Sequence, residues 1–185
     1  MTHPALRCTC EAHTELEGTM LAPALPALHC AACGSTVLRL DDYRDWRERH
    51  PQQAAVPSAS AAPLPQEESS PGVRRCPSCA RLMQRHRVGA DPDFWLDRCS
   101  PCQWVWFDRH EWEALADAGL SLRLPELLSE AWQRQLRESE ARQGREQALR
   151  ARHGDACIDE LARVREWLQS QPARDELLNL LRAGW

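Results

Sequence analysis

Eight of the nine cysteines in this 185-residue chain stand in close pairs, and the pairs form two sets of four. In one set Cys76 and Cys79 are two residues apart, nineteen residues follow, and Cys99 and Cys102 are again two apart. In the other, Cys8 and Cys10 are one residue apart, nineteen follow, and Cys30 and Cys33 are two apart. A CxxC turn presents two sulfurs to one ion, and two such turns complete a tetrahedron of thiolates at about 2.3 Å, so this spacing reads as two four-cysteine zinc sites and two Zn2+ ions. The short Cys8-x-Cys10 turn leaves His13 or His29 open as a substitute for one sulfur of the first set. Equal inner spacing at two places points to a duplicated unit.

The competing chemistry for paired cysteines is disulfide formation. The opening "MTHPALRCTC" has no basic-then-apolar signal region, which predicts a reducing, cytoplasmic setting and favours metal over disulfides. The most apolar stretch, "TMLAPALPALHCAAC", is shorter than the roughly 20 residues of a membrane helix and is interrupted by Pro23 and Pro26, so no membrane span is expected.

Two cysteine turns facing one ion require the chain to run out and return between them. "RLMQRHRV" and "DFWLDR" flank the turn signal "GADPD", which predicts a β-hairpin. After Cys102 the chain continues as a strand, with Trp104 and Trp106 on one face and Val105 and Phe107 on the other. Asp108 fits a helix N-cap, with Glu111 as the reciprocal partner of a capping box, and the helix "RHEWEALADA" stops at Gly119. The first set has the same sequel: a strand with Val37 and Leu38, an acidic cap at Asp41 or Asp42, and a helix carrying Tyr43 and Trp46. The fold class expected is small α+β, two zinc ribbons each of a hairpin and a short helix, followed by an α-helical C-terminal region.

The pattern Cys76, Pro77, Cys79, Cys99, Pro101, Cys102, Trp106, Asp108 and Glu111 resembles the bacterial zinc-ribbon family of the TFIIB-type zinc-finger class, CPxCG…CPxCGGxWLDxGELExL. The resemblance covers about 40 residues. In the first set only Cys10, Cys30, Cys33, Gly34 and the acidic–aromatic tail match. The glycine that usually follows each knuckle is replaced by Ala80 and Gln103, which predicts strained turns there. The resemblance implies zinc binding and an adaptor or regulatory role; the family's name is not in itself evidence of a part in transcription initiation.

Composition divides the chain. From Pro51 to Gly72 the sequence "PQQAAVPSASAAPLPQEESSPG" holds almost nothing large enough to bury, so 51–72 reads as a flexible linker between a degenerate ribbon at 1–50 and a full one at 73–124. Residues 125–185 form the helical region. "LPELLSEAWQRQLRESEARQGREQALRARHG" places Leu124, Leu128, Trp132 and Leu136 at helical spacing and loses its apolar stripe after Ser139. A second helix from Asp155 carries Ile158, Leu161 and Leu168 inward, with Cys157 on the same buried face. A third follows Pro172, with Leu177, Leu178 and Leu181. Trp132 is a candidate anchor for a partner's groove.

Four thiolates close a zinc site, whereas a catalytic zinc keeps a position open for water, so no enzyme activity is expected. His86 and His110 read as surface or capping residues, and the absence of lysine excludes lysine catalysis. The net charge of −4 argues against a chain that mainly grips phosphates. Locally, Arg74, Arg75, Arg81, Arg85 and Arg87 cluster on the second hairpin and are candidate nucleic-acid contacts. The function expected is a zinc-binding adaptor or regulator acting through protein contacts, with nucleic-acid binding and a redox-sensing zinc–thiolate switch as the alternatives.

Overall fold

A computed structural model describes residues 6–49 and 72–184. The stretch read as a linker, 51–72, lies outside the described residues apart from Gly72. The described chain is mixed α+β. Its elements are β1 (Glu17–Ala22), β2 (Leu25–His29), β3 (Thr36–Arg39), α1 (Leu40–Arg49), β4 (Gln84–Arg87), β5 (Trp95–Cys99) and β6 (Trp104–Phe107), then the helices α2 (Glu111–Asp117), α3 (Leu124–Leu127), α4 (Glu130–His153), α5 (Asp155–Gln169) and α6 (Arg174–Ala183). They fall into two compact units that divide between Arg134 and Gln135, inside α4.

The first unit is built on a six-stranded antiparallel sheet in the order β1-β2-β3-β6-β5-β4. The two cysteine segments, read from sequence as separate ribbons, each supply three strands to this one sheet. Val37 and Trp106 each stand four residues after the last cysteine of their set, and they pair with one another in the β3–β6 ladder, flanked by Thr36 with Phe107 and Leu38 with Val105. Within the halves, Leu28 pairs with Val37 as Asp97 pairs with Trp106. This register relates the halves by a local two-fold axis through the Val37–Trp106 pair, the arrangement a duplicated unit adopts when it meets its own copy. Joining β3 to β6 also removes two strand edges that would otherwise be open to other chains.

The alternation of β6 decides which face does what. Val105 and Phe107 enter an apolar layer with Leu38, Leu96, Tyr43, Trp46, Trp112 and Leu115, so α1 and α2 cover this face. Trp104 and Trp106 turn to the opposite face, beside the eight paired cysteines' buried members and Val37 and Met83. Helices lie on one side of the sheet and sulfur on the other.

The first α-helical stretch read beyond Gly119 is not one free helix. It is broken at Leu128 and Ser129, where the Ser129 hydroxyl accepts from the Trp132 backbone N–H at 3.2 Å and caps α4. Leu124, Leu127 and Leu128 are buried in the sheet's apolar layer. Trp132 packs against that layer and donates its indole N–H to the Val88 carbonyl at 3.1 Å, so it belongs to this unit's core and is not a free anchor. Gln133 completes the seal on the β4 edge. Its side-chain amide accepts from the Arg87 N–H at 3.0 Å and donates to the Arg87 carbonyl at 2.9 Å, imitating the next strand. The periodicity was compatible with a free helix because the same leucine stripe serves either purpose.

At the first helix, α1 starts at Leu40, which places Asp41 and Asp42 in its first turn and not at the cap. They oppose the positive end of the helix dipole there.

In the second unit, α5 and α6 are joined through residues 170–173 and pack together, with Leu168 buried. Leu161, read as inward-facing, is 58% exposed, and Cys157, read on the same buried face, is exposed as well; on α6 Leu181 is 60% exposed. Among the described residues no helix is long and apolar enough to cross a membrane.

Because Leu127 is fully buried against the sheet, Leu127→Ala should destabilise the first unit by about 2–4 kcal/mol, through lost transfer energy plus the cavity left behind. Urea unfolding followed by tryptophan fluorescence reads this. A change near zero would place α3 off the sheet.

Candidate metal centre

The structure brings the eight cysteines together as two groups, Cys8, Cys10, Cys30 and Cys33, and Cys76, Cys79, Cys99 and Cys102, with all ligand atoms of a group within 4.8 Å of one another. The Sγ atoms of Cys8 and Cys33 are 3.6 Å apart, those of Cys10 and Cys30 3.9 Å, and those of Cys79 and Cys99 3.6 Å. Sulfurs at about 2.3 Å from a central zinc would sit about 3.8 Å apart along the edges of the tetrahedron, whereas a disulfide requires about 2.05 Å. The sulfur sets therefore fit a metal ion, and all nine cysteines are free of disulfides. His13 and His29 stand outside the first group, and its fourth sulfur is that of Cys8. The His13 ring instead approaches the Cys8 carbonyl, at 3.4 Å from Nδ1.

Each turn is closed by the backbone. The Gly34, Ala80 and Gln103 N–H groups donate to the carbonyls of Cys30, Cys76 and Cys99 at 2.8–2.9 Å, and His13 N–H donates to the Cys10 carbonyl at 3.0 Å. All four donors have left-handed backbone angles, φ 76° at Gly34, 58° at Ala80 and Gln103, and 45° at His13. The absence of glycine at Ala80 and Gln103 does not relax the turns; it leaves two L-residues in a conformation that crowds Cβ. In the one-residue-shorter first turn, His13 takes the position that closes it.

The sulfurs are not equivalent. Burial pushes the Cys8 thiol well up and that of Cys76 up to about 12. Against the upward push of burial, the Thr14 hydroxyl, 3.0 Å from the Cys30 sulfur, and the Cys33 backbone N–H bring Cys30 down to about 6. The Arg81 backbone N–H is the main influence holding Cys79 at about 7. Each group thus holds at least one sulfur disposed to ionise beside others that keep their protons, and a metal entering it would displace those protons.

Between the groups lies a charged network the sequence did not reveal. Asp108, read as the N-cap, stands two residues before that position: α2 begins at Glu111, with His110 in a left-handed conformation at its N-cap. Its carboxylate accepts from the Ser35 hydroxyl at 3.1 Å and the Trp106 indole at 3.2 Å, and pairs with the Arg74 guanidinium. Ser35 is two residues beyond Cys33 and Arg74 two residues before Cys76, so one side chain links the turns of both groups. Half of the capping box survives, since Glu111 Oε2 accepts from the Asp108 N–H at 2.7 Å. Arg74 is largely buried and needs an anion, which Asp108 supplies. The only sequence signal was an acidic residue two positions after Trp106, which a cap explains equally well.

The candidate nucleic-acid arginines are largely turned to acids of the same chain. Arg74 and Arg85 flank Asp97, at 3.6 and 3.7 Å, and lie over the rings of Trp106 and Trp95. Arg87 pairs with Asp93. Arg75 donates to the Ala80 carbonyl at 3.2 Å but remains exposed, as does Arg81. His86 is buried at 7% exposure, not on the surface, and burial lowers its pKa.

Compared with known proteins, the chain matches no family model, no curated protein and no solved structure.

Glu111 supplies a pH test of this network. It is 2% exposed, and burial, reinforced by the Asp108 charge, pushes its carboxyl from 4.5 up to about 8. The folded state therefore holds this proton more firmly than the unfolded chain, so the stability it contributes is present below 4.5 and is lost as pH rises through 8. Glu111→Gln carries no such dependence. In urea unfolding with zinc held constant, the variant should gain on the unsubstituted protein as pH is raised from about 5 to about 8.5. A difference constant across that range would contradict the buried placement of this carboxyl.

Proposed function

We propose that this chain is a zinc-stabilised, non-catalytic adaptor or regulator that works through protein contacts, its two cysteine halves being zinc ribbons of the TFIIB-type class. The observation that carries the reading is the convergence of all eight paired cysteines into two closed four-sulfur sets. Four thiolates saturate a tetrahedral zinc and leave no position for a substrate or an activated water, so such sites hold folds together. The shared sheet then gives a stiff platform, with sulfur on one face and helices on the other. Nucleic-acid binding is the less favoured partner chemistry, because Arg74, Arg85 and Arg87 are already neutralised by Asp97, Asp108 and Asp93. A phosphate would have to compete with those acids.

Two measurements test this. Metal analysis of chelator-free protein should find two zinc ions per chain, bound to sulfur alone. The zinc-loaded chain, immobilised and exposed to native cell extract, should retain a protein partner after nuclease treatment and across moderate salt. Loss of all captured material on nuclease treatment, with a steep dependence on salt, would overturn the protein-partner reading in favour of nucleic acid. A single zinc would overturn the two-ribbon reading.

A further inference from the structure

We infer that the α5–α6 hairpin is a self-association surface, which pairs with the same hairpin of a second copy of this chain. Of the second unit's residues from Gln135 onward, only Leu168 is buried among those described. Ordering each residue of backbone costs about 1–2 kcal/mol, and one buried leucine returns roughly 2 kcal/mol with smaller returns from the half-buried Ile158, Leu177 and Leu178, so these helices need a cover. α4 can remain in solvent, since beyond Ser139 Leu149 is its one large apolar residue. α5 and α6 cannot be explained that way. Leu161, Val164 and Trp167 are 58%, 38% and 53% exposed, and on α6 Leu180 and Leu181 are 36% and 60% exposed. Together they offer on the order of 500 Å² of apolar surface per copy, a large part of the roughly 800 Å² that each partner buries in a stable interface.

Charge identifies the occupant. From Gln135 to Trp185 the chain carries nine arginines and nine acids, net zero, so two such segments do not repel, and a strongly charged partner finds no complement. The pattern along α5 is also self-complementary. Cys157, Leu161 and Val164, all exposed, recur at spacings of four and three residues, as along the seam of a coiled coil, with Glu160 and Arg165 at the positions that flank it, while Leu168, next on that stripe, is already covered within the hairpin. In a parallel, in-register pair Glu160 of each copy, which within its own helix pairs with Arg163 at 3.0 Å across an exposed surface, meets Arg165 of the other, giving two ion pairs across a two-fold axis. This inference rests on the second unit alone and stands apart from the metal reading.

The test is the solution mass of the full, zinc-loaded chain in reducing buffer, by sedimentation. At about 50 μM the protein should have twice the 21.1 kDa mass of one chain, since interfaces of this size hold at micromolar concentrations. Leu161→Glu combined with Leu181→Glu should leave it at one chain mass, with zinc content unchanged. Glu160→Arg should weaken association by about tenfold, and adding Arg165→Glu to the same chain should restore it, because the pair is then swapped and not lost. The inference is overturned if the unsubstituted protein stays at one chain mass, which would mean that this face is covered by the rest of its own chain or by a different partner. It is equally overturned if the leucine variants associate as the original does, or if the charge swap does not restore what the single reversal removes.

Discussion

Four sulfurs gathered within a few ångströms are a liability without a cation among them. As thiolates they repel, and as thiols they fill a sheet face with weak donors and little packing. The first unit accepts that liability twice on the same face of one sheet, where larger apolar residues are few: Leu16, Val37, Met83 and Trp106 are the buried members beside the cysteines. In the reading proposed above, zinc supplies what the side chains do not, as structural zinc sites contribute on the order of 10 kcal/mol to folding. The left-handed turns at Ala80 and Gln103 become tolerable on the same account, since an ion fixing both sulfurs of a turn offsets the strain within it.

The dependence is shared because the halves are not separable in the sheet. β3 and β6 are the two central strands of the sheet, and their pairing puts Trp106 against Val37 at the junction of the halves. Asp108 adds a polar link beside this apolar one, tying Ser35 of one half to Arg74 of the other through a single carboxylate. A network of this kind confers specificity more than strength, because its charges are largely withdrawn from water. The consequence for function is a fixed arrangement of two candidate metal centres, with Gln133 sealing one outer strand and the other, β1, bearing the sheet's second edge.

Local events were legible in the sequence, and distant ones were not. Cysteine spacing marked both four-cysteine groups, and the alternation from Trp104 to Phe107 assigned the two faces of β6 correctly, because a strand's periodicity depends on its neighbours in the chain. The hairpin between Gln84 and Cys99 was marked by its own turn residues. The pairing of Val37 with Trp106 had no such marker. Nothing local distinguishes a strand that joins a second half from one that stays an edge. Asp108 was misread for a related reason: its sequence context specifies a cap, and its partner Arg74 arrives from elsewhere in the chain. Leu124, Leu127 and Trp132 likewise showed a helix face without showing what it would cover.

The central claim is that two zinc sites hold one shared sheet, and its most direct test is hydrogen exchange of the backbone during graded zinc removal by a chelator. Amides of β1, β2 and β3 and those of β4, β5 and β6 should lose protection together, at the same chelator concentration, because neither half keeps its central strand when the other opens. Retention of protection in one set of strands after the other is lost would contradict the account and restore two independent modules.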